Sequence, residues 1–454
     1  MVQAMNSIAI IVLAAGKGTR MRSAAPKVLH RAAGRSLLGH VLTAAAALSP
    51  VRAIVVNGPG QADVADEALA HFPAASIVTQ KERLGTGHAV SIALPAVKKF
   101  SGTVMVLYGD TPLLSVETLQ GLAAQVNAKT PFAVLGFEAA NPTGYGRLLR
   151  NAAGSLTGIR EELDASKKEK AIRLCNSGVI ALDAGLLAKL LPLVGNKNAK
   201  GEYYLTDLVA LAVKAKKRVA LSVCPEAEVL GVNTRAQLAE VEAHFQQRLR
   251  ARAMEGGATL VAPETVYFCA DTVVGCDVVI EPHVVFGPKV VIGDNVQIRA
   301  FSHIEGAKIA AGATIGPFAR LRPGADIAAD AHIGNFVEIK KSRVEKGAKV
   351  NHLSYIGDAR VGAKANIGAG TITCNYDGFA KHVTDIGAGA FIGSNSSLVA
   401  PVRIGDGAYV GSGSVITKDV PDNALALERG TQTIREGWAA RFRALRQAVK
   451  AKIK

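Results

Sequence analysis

Two groups of residues carry the chemistry open to this chain. The first lies at its start, where an apolar run, Ile8–Leu13, enters Ala14-Ala15-Gly16-Lys17-Gly18-Thr19-Arg20-Met21, with Pro26-Lys27 just beyond. This is not a Walker A loop, because no Gly-Lys-Ser/Thr follows at the required spacing. It is not G-x-G-x-x-G either, because position 21 is Met. A glycine turn after a buried strand still aims backbone N–H groups at an anion. Lys17, Arg20 and Lys27 add cations that could stabilise charge on a leaving polyphosphate; the alternative is a solvated basic turn. Asp110, at the end of Leu107-Tyr108-Gly109-Asp110, suits Mg²⁺, which takes few protein carboxylates and fills its shell with phosphate and water, although such an Asp also serves as a helix cap. Gln80, Gly85-Thr86-Gly87, Gly144-Tyr145-Gly146, Asn176 and Gly231-Val232-Asn233 are polar or glycine-rich spots of the kind that line nucleotide pockets, and each taken singly reads as an ordinary turn.

The second group is Arg322, Lys340, Lys341, His352, Tyr355, Asn366, Asn375 and Lys381. A histidine near a carboxylate is the simplest general base, and Glu338 lies 14 positions before His352. A surface histidine on a repeat scaffold is the ordinary reading; the surrounding cations and the polar stretch Thr371–Gly378 favour a site.

The elements that position the first group alternate between strand-like and helix-like patterns over some 230 residues: Leu37–Leu48 and Val116–Val126 read as helices, Arg52–Val56 and Thr103–Leu107 as buried strands. This predicts an α/β, doubly wound, Rossmann-like domain over 1–232, with ligands beyond the carboxyl ends of its strands. A linker helix is expected within 233–255, where Leu238, Val241, Phe245 and Leu249 recur at helical spacing. From 256 to 454 the pattern changes. Apolar residues recur every six positions, from Val274, Ile280, Phe286 and Ile292 to Ile404, Val410 and Ile416, which is the signature of a parallel β-helix with three sides to a coil. One coil takes about 18 residues. Arg322 and Lys340, 18 apart, should therefore stack on successive coils, as should Glu338 and Tyr355, 17 apart, while Glu338 and His352 face each other round a corner. The 19-residue interval from Ile367 to Ile386 predicts a projecting loop carrying Asn375-Tyr376-Asp377.

Composition sets the limits. The net charge of +16 divides unevenly, with +10 on residues 1–232, none on 233–429 and +6 on 430–454. Trp438, Phe442, Leu445 and Val449 make the basic tail an amphipathic helix, expected to dock by its apolar face; binding to membrane or nucleic acid is the alternative. Five cysteines without a C-x-x-C argue against a disulfide framework or zinc cluster and for a reducing, cytoplasmic setting. Neither a signal peptide nor a membrane-spanning helix is expected.

The motifs together resemble one family, the bacterial bifunctional N-acetylglucosamine-1-phosphate uridyltransferase / glucosamine-1-phosphate N-acetyltransferases, from about residue 7 to about 438. L-A-A-G-K-G-T-R-M, P-K-V-L-H, Q-x-x-x-L-G-T-G-H-A, Y-G-D, P-T-G-Y-G-R, G-E-Y-Y-L-T-D and G-V-N mark the first half. G-P-F-A-R-L-R-P-G, G-N-F-V-E-I-K-K, H-L-S-Y-I-G-D and N-I-G-A-G-T-I-T-C-N-Y-D-G mark the second, more specifically. The resemblance implies a left-handed β-helix, a homotrimer with acetyltransferase sites shared between subunits, and synthesis of UDP-N-acetylglucosamine for peptidoglycan and lipopolysaccharide, without nucleic acid or stable membrane insertion. It implies that Leu13, Ala14, Ala15 and Gly16 hold UTP, with Gln80, Gly85 and Thr86 on the uracil side and Tyr108 in the pocket. Arg20 and Lys27 would face the triphosphate, Asp110 and Asn233 would hold Mg²⁺, and Gly144, Glu161 and Asn176 would touch the sugar. In the second half Arg322, Lys340, Tyr355, Asn366 and Lys381 would bind glucosamine 1-phosphate, with His352 as base supported by Glu338. Asn375, Tyr376, Ser394, Ser412 and Arg429 would lie near acetyl-CoA. Leu163 and Ser412 depart from the usual pattern, where Lys and Ala are common, and neither removes a group that the chemistry needs.

Overall fold

The computed structural model describes residues 7–453; residues 1–6 and 454, at the ends of the expected domains, lie outside the described residues. The chain divides into two compact units, the first running to Ala251 with Phe268–Ala270, the second from Arg252 to Tyr267 and from Asp271 onward.

The first unit is built on a nine-stranded sheet whose main path runs Val219–Val223, Phe132–Glu138, Leu174–Asp183, Thr103–Tyr108, Ile8–Leu13, Arg52–Asn57, Ser76–Thr79. Leu174–Asp183 is antiparallel to both neighbours and the other pairs along the path are parallel. The central strands are apolar throughout because helices cover both faces. Ile10 and Val12 pack into one core cluster, and Ala9 and Ile11 into the other. The expected elements appear with slightly shifted ends: helices Leu37–Ala46, Val116–Ala124 and Arg235–Glu255, strands Arg52–Asn57 and Thr103–Tyr108.

The second unit is a left-handed parallel β-helix of three faces, with ten, eight and eight short strands. Most strands are two or three residues long, and the two-residue ones typically pair an exposed residue with a buried aliphatic one. The six-residue ladder points inward as the pattern requires; only Val274, in the first strand of its face, is partly exposed. Coils stack so closely that a Cβ at Gly334 would lie 2.0 Å from the Asn351 carbonyl, so only glycine fits there. The interval between Ile367 and Ile386 projects less than expected. Its first part, Ile372–Cys374, stays in the stack, and only the residues from 375 to 383 leave it. The tail forms the helix Trp438–Ile453, whose Trp438, Phe442, Leu445 and Val449 are exposed rather than docked within the chain.

Candidate functional site

In the first unit, the residues around Gly16 and Asp110 line one cleft. Leu13–Gly16 leave the carboxyl end of the central strand, and Gly109 N–H donates to the Leu13 carbonyl at 3.0 Å. Met21, buried with Ala32, Leu37, Leu113, Val232 and Val241, anchors the loop that follows. That packing sets Lys27 at the start of a 3₁₀ turn, where its ammonium is ion-paired to Asp110 and donates to Asn233 Oδ1 at 3.0 Å. The Val232 N–H bond to the Asp110 carbonyl, 2.9 Å, brings the Asn233 loop to the same place. The cleft is lined by Leu13–Gly16, Lys27, Gln80, Gly85, Thr86, Tyr108 and Asp110, with Arg83 and Glu202 added. Arg20 stands exposed on its turn.

Gln80 is buried and donates to Gly85 O and His88 Nδ1. Burial pushes the Tyr108 phenol far above its usual range, against a hydrogen bond from the Thr86 side chain. Burial also raises Glu161, while Thr206 Oγ1 donates to its carboxylate at 3.0 Å. Asn176 N–H donates to Gly146 O at 2.8 Å, its Oδ1 accepts from Gly178 N–H, and Gly144 sits in the left-handed region at φ +89°. A Cβ at Gly178 would press into the Tyr108 ring, so this polar group adjoins the cleft. Sequence reasoning missed Arg83, whose Nε donates to Ala15 O at 2.7 Å and braces the loop that follows the central strand. Its place in Q-x-x-x-L-G-T-G-H, three positions after Gln80, was the available signal. Leu163 is exposed.

The Asp110–Asn233 pair has the chemistry to receive a divalent cation. Both side chains converge on one ammonium, so their oxygens already share a cation position. Among the described residues no cluster of three or more His, Cys, Asp or Glu could hold a metal, so an ion here would take its remaining ligands from phosphate and water, as Mg²⁺ does.

In the second unit the one-coil spacings are seen directly. Leu321 pairs Ile339, which stacks Arg322 on Lys340, and Glu338 pairs Tyr355. The corner pairing of Glu338 with His352 is not formed. Glu338 accepts from Arg322 Nη1 at 2.8 Å and lies 3.7 Å from Arg320, whereas His352 Nδ1 is 2.6 Å from Asn335 Oδ1. The physical reason is the stack itself. Asn335 lies directly one coil from His352 on the same face, and Glu338 is on the next face, where arginines satisfy it. Asn335 was missed although its 17-residue offset from His352 equals that of Glu338 from Tyr355.

Lys340 and Lys381 face each other, and Lys340 holds the Lys381 ammonium below its usual range. Asp358 lies 4.0 Å from Lys340 and accepts from the Asn375 amide. Asn366 is on the face of His352, in register with Lys349 and Phe391. The projecting segment is pinned by Asp377, which accepts from the Phe379 and Ala380 N–H groups and pairs with His382 at 2.7 Å; these bonds hold its carboxyl well below the usual range. Tyr376 OH donates to Gly378 O, and Phe379 is fully exposed. Ser394, Ser412 and Arg429 form a separate column: Gly413 N–H donates to Ser394 O at 2.8 Å and Arg429 Nη1 to Ser412 O at 3.1 Å.

Two family models match the chain, one within each unit. The MobA-like NTP transferase domain family matches residues 10–196, and the bacterial transferase hexapeptide (six repeats) matches 271–306 and 384–418. Curated relatives named Bifunctional protein GlmU include one from Paracoccus denitrificans, 56% identical over 97% of this chain and 98% of its own. Others are from Xanthobacter autotrophicus, 58% identical over 98% and 99%, and Azorhizobium caulinodans, 57% identical over 97% and 98%.

Proposed function

Since the chain belongs to the bifunctional GlmU family, we propose the following division of labour between its units. The protein is a uridyltransferase and an acetyltransferase that makes UDP-N-acetylglucosamine from glucosamine 1-phosphate, acetyl-CoA and UTP. The observation that carries the site assignment is the convergence of Lys27, Asp110 and Asn233 at the cleft bounded by Leu13–Gly16, Gln80 and Thr86.

In the first unit the sugar phosphate oxygen attacks the α-phosphorus of UTP, the bond to the β-phosphate oxygen breaks, and pyrophosphate leaves. No enzyme-bound covalent intermediate is needed, so positioning and charge neutralisation carry the rate. Gln80, Gly85 and Thr86 seat the uracil. Lys27 and Arg20 take the triphosphate charge, and Gly144, Glu161 and Asn176 seat the sugar. Asp110 and Asn233 would hold Mg²⁺, which when bound neutralises phosphate charge.

In the second unit His352 Nε2 removes a proton from the sugar amine, which attacks the acetyl-CoA thioester carbonyl, and the thiolate leaves. Donation of Nδ1–H to Asn335 leaves the Nε2 lone pair free for this role. Arg322, held by Glu338, and Lys340, Tyr355, Asn366 and Lys381 bind glucosamine 1-phosphate. Asn375, Tyr376, Ser394, Ser412 and Arg429 face acetyl-CoA. Three copies assemble. Beside the exposed His352 runs an exposed apolar corner of Phe301, Phe318, Phe336 and Leu353, its rings stacked at about 5 Å. Burying that corner against a second copy gives the acetyl site its missing wall. Among the described residues no helix is long and apolar enough to cross a membrane. A composition of five cysteines with no C-x-x-C accords with a reducing cytoplasm.

Mass spectrometry of the products from glucosamine 1-phosphate, acetyl-CoA, UTP and Mg²⁺ tests this reading. The acetylated sugar phosphate should form without UTP, and UDP-N-acetylglucosamine only when all are present. Nucleotide transfer without any acetyl transfer would leave a single-activity enzyme with a β-helix scaffold.

A further inference from the structure

We propose that His88 is a positioning residue for base selection: it locks the Gln80 amide with its carbonyl oxygen towards the nucleotide base. This rests on the reading that Gln80 faces the uracil. Gln80 is 4% exposed, and its Nε2 lies 3.1 Å from Gly85 O and 3.1 Å from His88 Nδ1. A carbonyl only accepts, so the atom facing Gly85 O is the amide nitrogen, and the orientation of the amide follows from chemistry. One N–H goes to Gly85 O. The other goes to His88 Nδ1, which must be a lone pair, so the imidazole carries its proton on Nε2. Among the described residues Gln80 Oε1 has no hydrogen-bond partner, in a residue that lines the cleft.

The frame behind this lock is rigid. Gly85 has φ +110°, and a Cβ there would lie 2.6 Å from Tyr203 O, which itself accepts from Gly87 N–H. His88 does not line the nucleotide cleft. It lines a second cleft with Leu84, Leu191, Val194 and Tyr203, so it acts through Gln80 and not by touching the base. A carbonyl presented at the pyrimidine N3 edge accepts from the N3–H of uracil and opposes the N3 lone pair of cytosine. A reversed amide would present N–H there and favour cytosine. Without the Nδ1 acceptor the second N–H of a buried amide is unsatisfied, and the preferred orientation weakens.

The test compares kcat and KM for UTP and CTP in the full-length enzyme and in His88→Leu, His88→Asn and Gln80→Ala, with acetyl transfer and Tm as folding controls. His88→Leu should raise the UTP KM and lower the UTP-over-CTP preference about tenfold, with kcat little changed. His88→Asn, which puts Oδ1 near the place of Nδ1, should stay within about threefold of the parent. If His88→Leu keeps the parent preference while Gln80→Ala loses it, the role of His88 is overturned and the reading of Gln80 stands. If Gln80→Ala keeps the preference, the reading beneath it falls as well. A fall in kcat with preference intact would mean a merely structural histidine. His88→Phe repeats the test should His88→Leu fail to fold.

Discussion

The two units prepare for anionic substrates in opposite ways. In the α/β unit the charges are cancelled in advance: Lys27 is paired to Asp110 and bonded to Asn233, 206 positions away in sequence. In the β-helix the cancellation is partial, with Arg322 paired to Glu338. Lys340 and Lys381 face each other, with the Asp358 carboxylate only at 4.0 Å from Lys340. On the proposed reading, a triphosphate entering the first site draws Lys27 from its carboxylate, so part of its binding energy goes into exchanging partners. A sugar phosphate entering the second relieves a repulsion already present. On the proposed reading the first site exchanges an internal ion pair for substrate, and the second offers the facing Lys340 and Lys381 to an anion. The histidines carry a parallel contrast in their partners: Nδ1 of His88 meets the Gln80 amide nitrogen, and Nδ1 of His352 meets the Asn335 amide oxygen.

The largest effect should separate the units altogether. His352→Ala should lower acetyl transfer by about 10²–10⁴-fold, the usual share of a general base, and leave uridyl transfer near normal. Separate thiol-release and pyrophosphate-release assays check this, and a parallel fall in both would end the division of labour. Next comes the self-cancelled site. Lys27→Ala should cost uridyl transfer about 10²–10³-fold through lost charge stabilisation and leave acetyl transfer alone. With its stand-in cation gone, Asp110 and Asn233 should bind Mg²⁺ more tightly in the absence of nucleotide. Titration of the apo variant with metal would show it, and unchanged affinity would mean that Lys27 does not compete for the position.

A smaller effect tests how His352 is held. Asn335→Ala should lower acetyl-transfer kcat/KM about tenfold, the worth of one short neutral hydrogen bond to a catalytic group. Asn335→Asp places a carboxylate against Nδ1, which favours the imidazolium and raises its pKa. The acid limb of the pH–rate profile should therefore move to higher pH. A limb that stays in place would show that the contact in the free chain is absent from the working enzyme.

How far these sites were legible follows from the same contrast. In the β-helix, distance in space is a multiple of distance in sequence, so the inward ladder and the Arg322–Lys340 and Glu338–Tyr355 stacks could be read by counting. The count failed where it left the coil length: 14 residues from Glu338 to His352 is not a coil, and the true neighbour, Asn335, stood at 17. In the α/β unit no count joins Lys27 to Asn233, because the path between them passes through the whole sheet. There the individual strands were legible from their apolar runs. Strand ends placed Asp110 opposite the loop of Lys27, but Asn233 joined them only through motif resemblance, and Arg83 and His88 escaped because their partners are a backbone carbonyl and an amide side chain.

The smallest effect bears on the second site. Lys381 is exposed, and its folded-state pKa lies below the ordinary 10.5 because Lys340 stands against it. Between the lowered value and 10.5 the unfolded chain binds more protons than the folded one, so stability should rise with pH across that window. Below it both states are protonated and the repulsion is fully felt. Lys381→Gln removes it, so the substrate-free protein should melt slightly higher at neutral pH in low salt. The difference should shrink with added salt, as expected for exposed charges. The same substitution should raise the KM for glucosamine 1-phosphate, since the relieved repulsion no longer contributes to binding the phosphate. A variant with lower Tm, or with higher Tm and unchanged KM, would mean that the two ammonium groups are not held together for an anion, and the contrast between the sites would reduce to their topology.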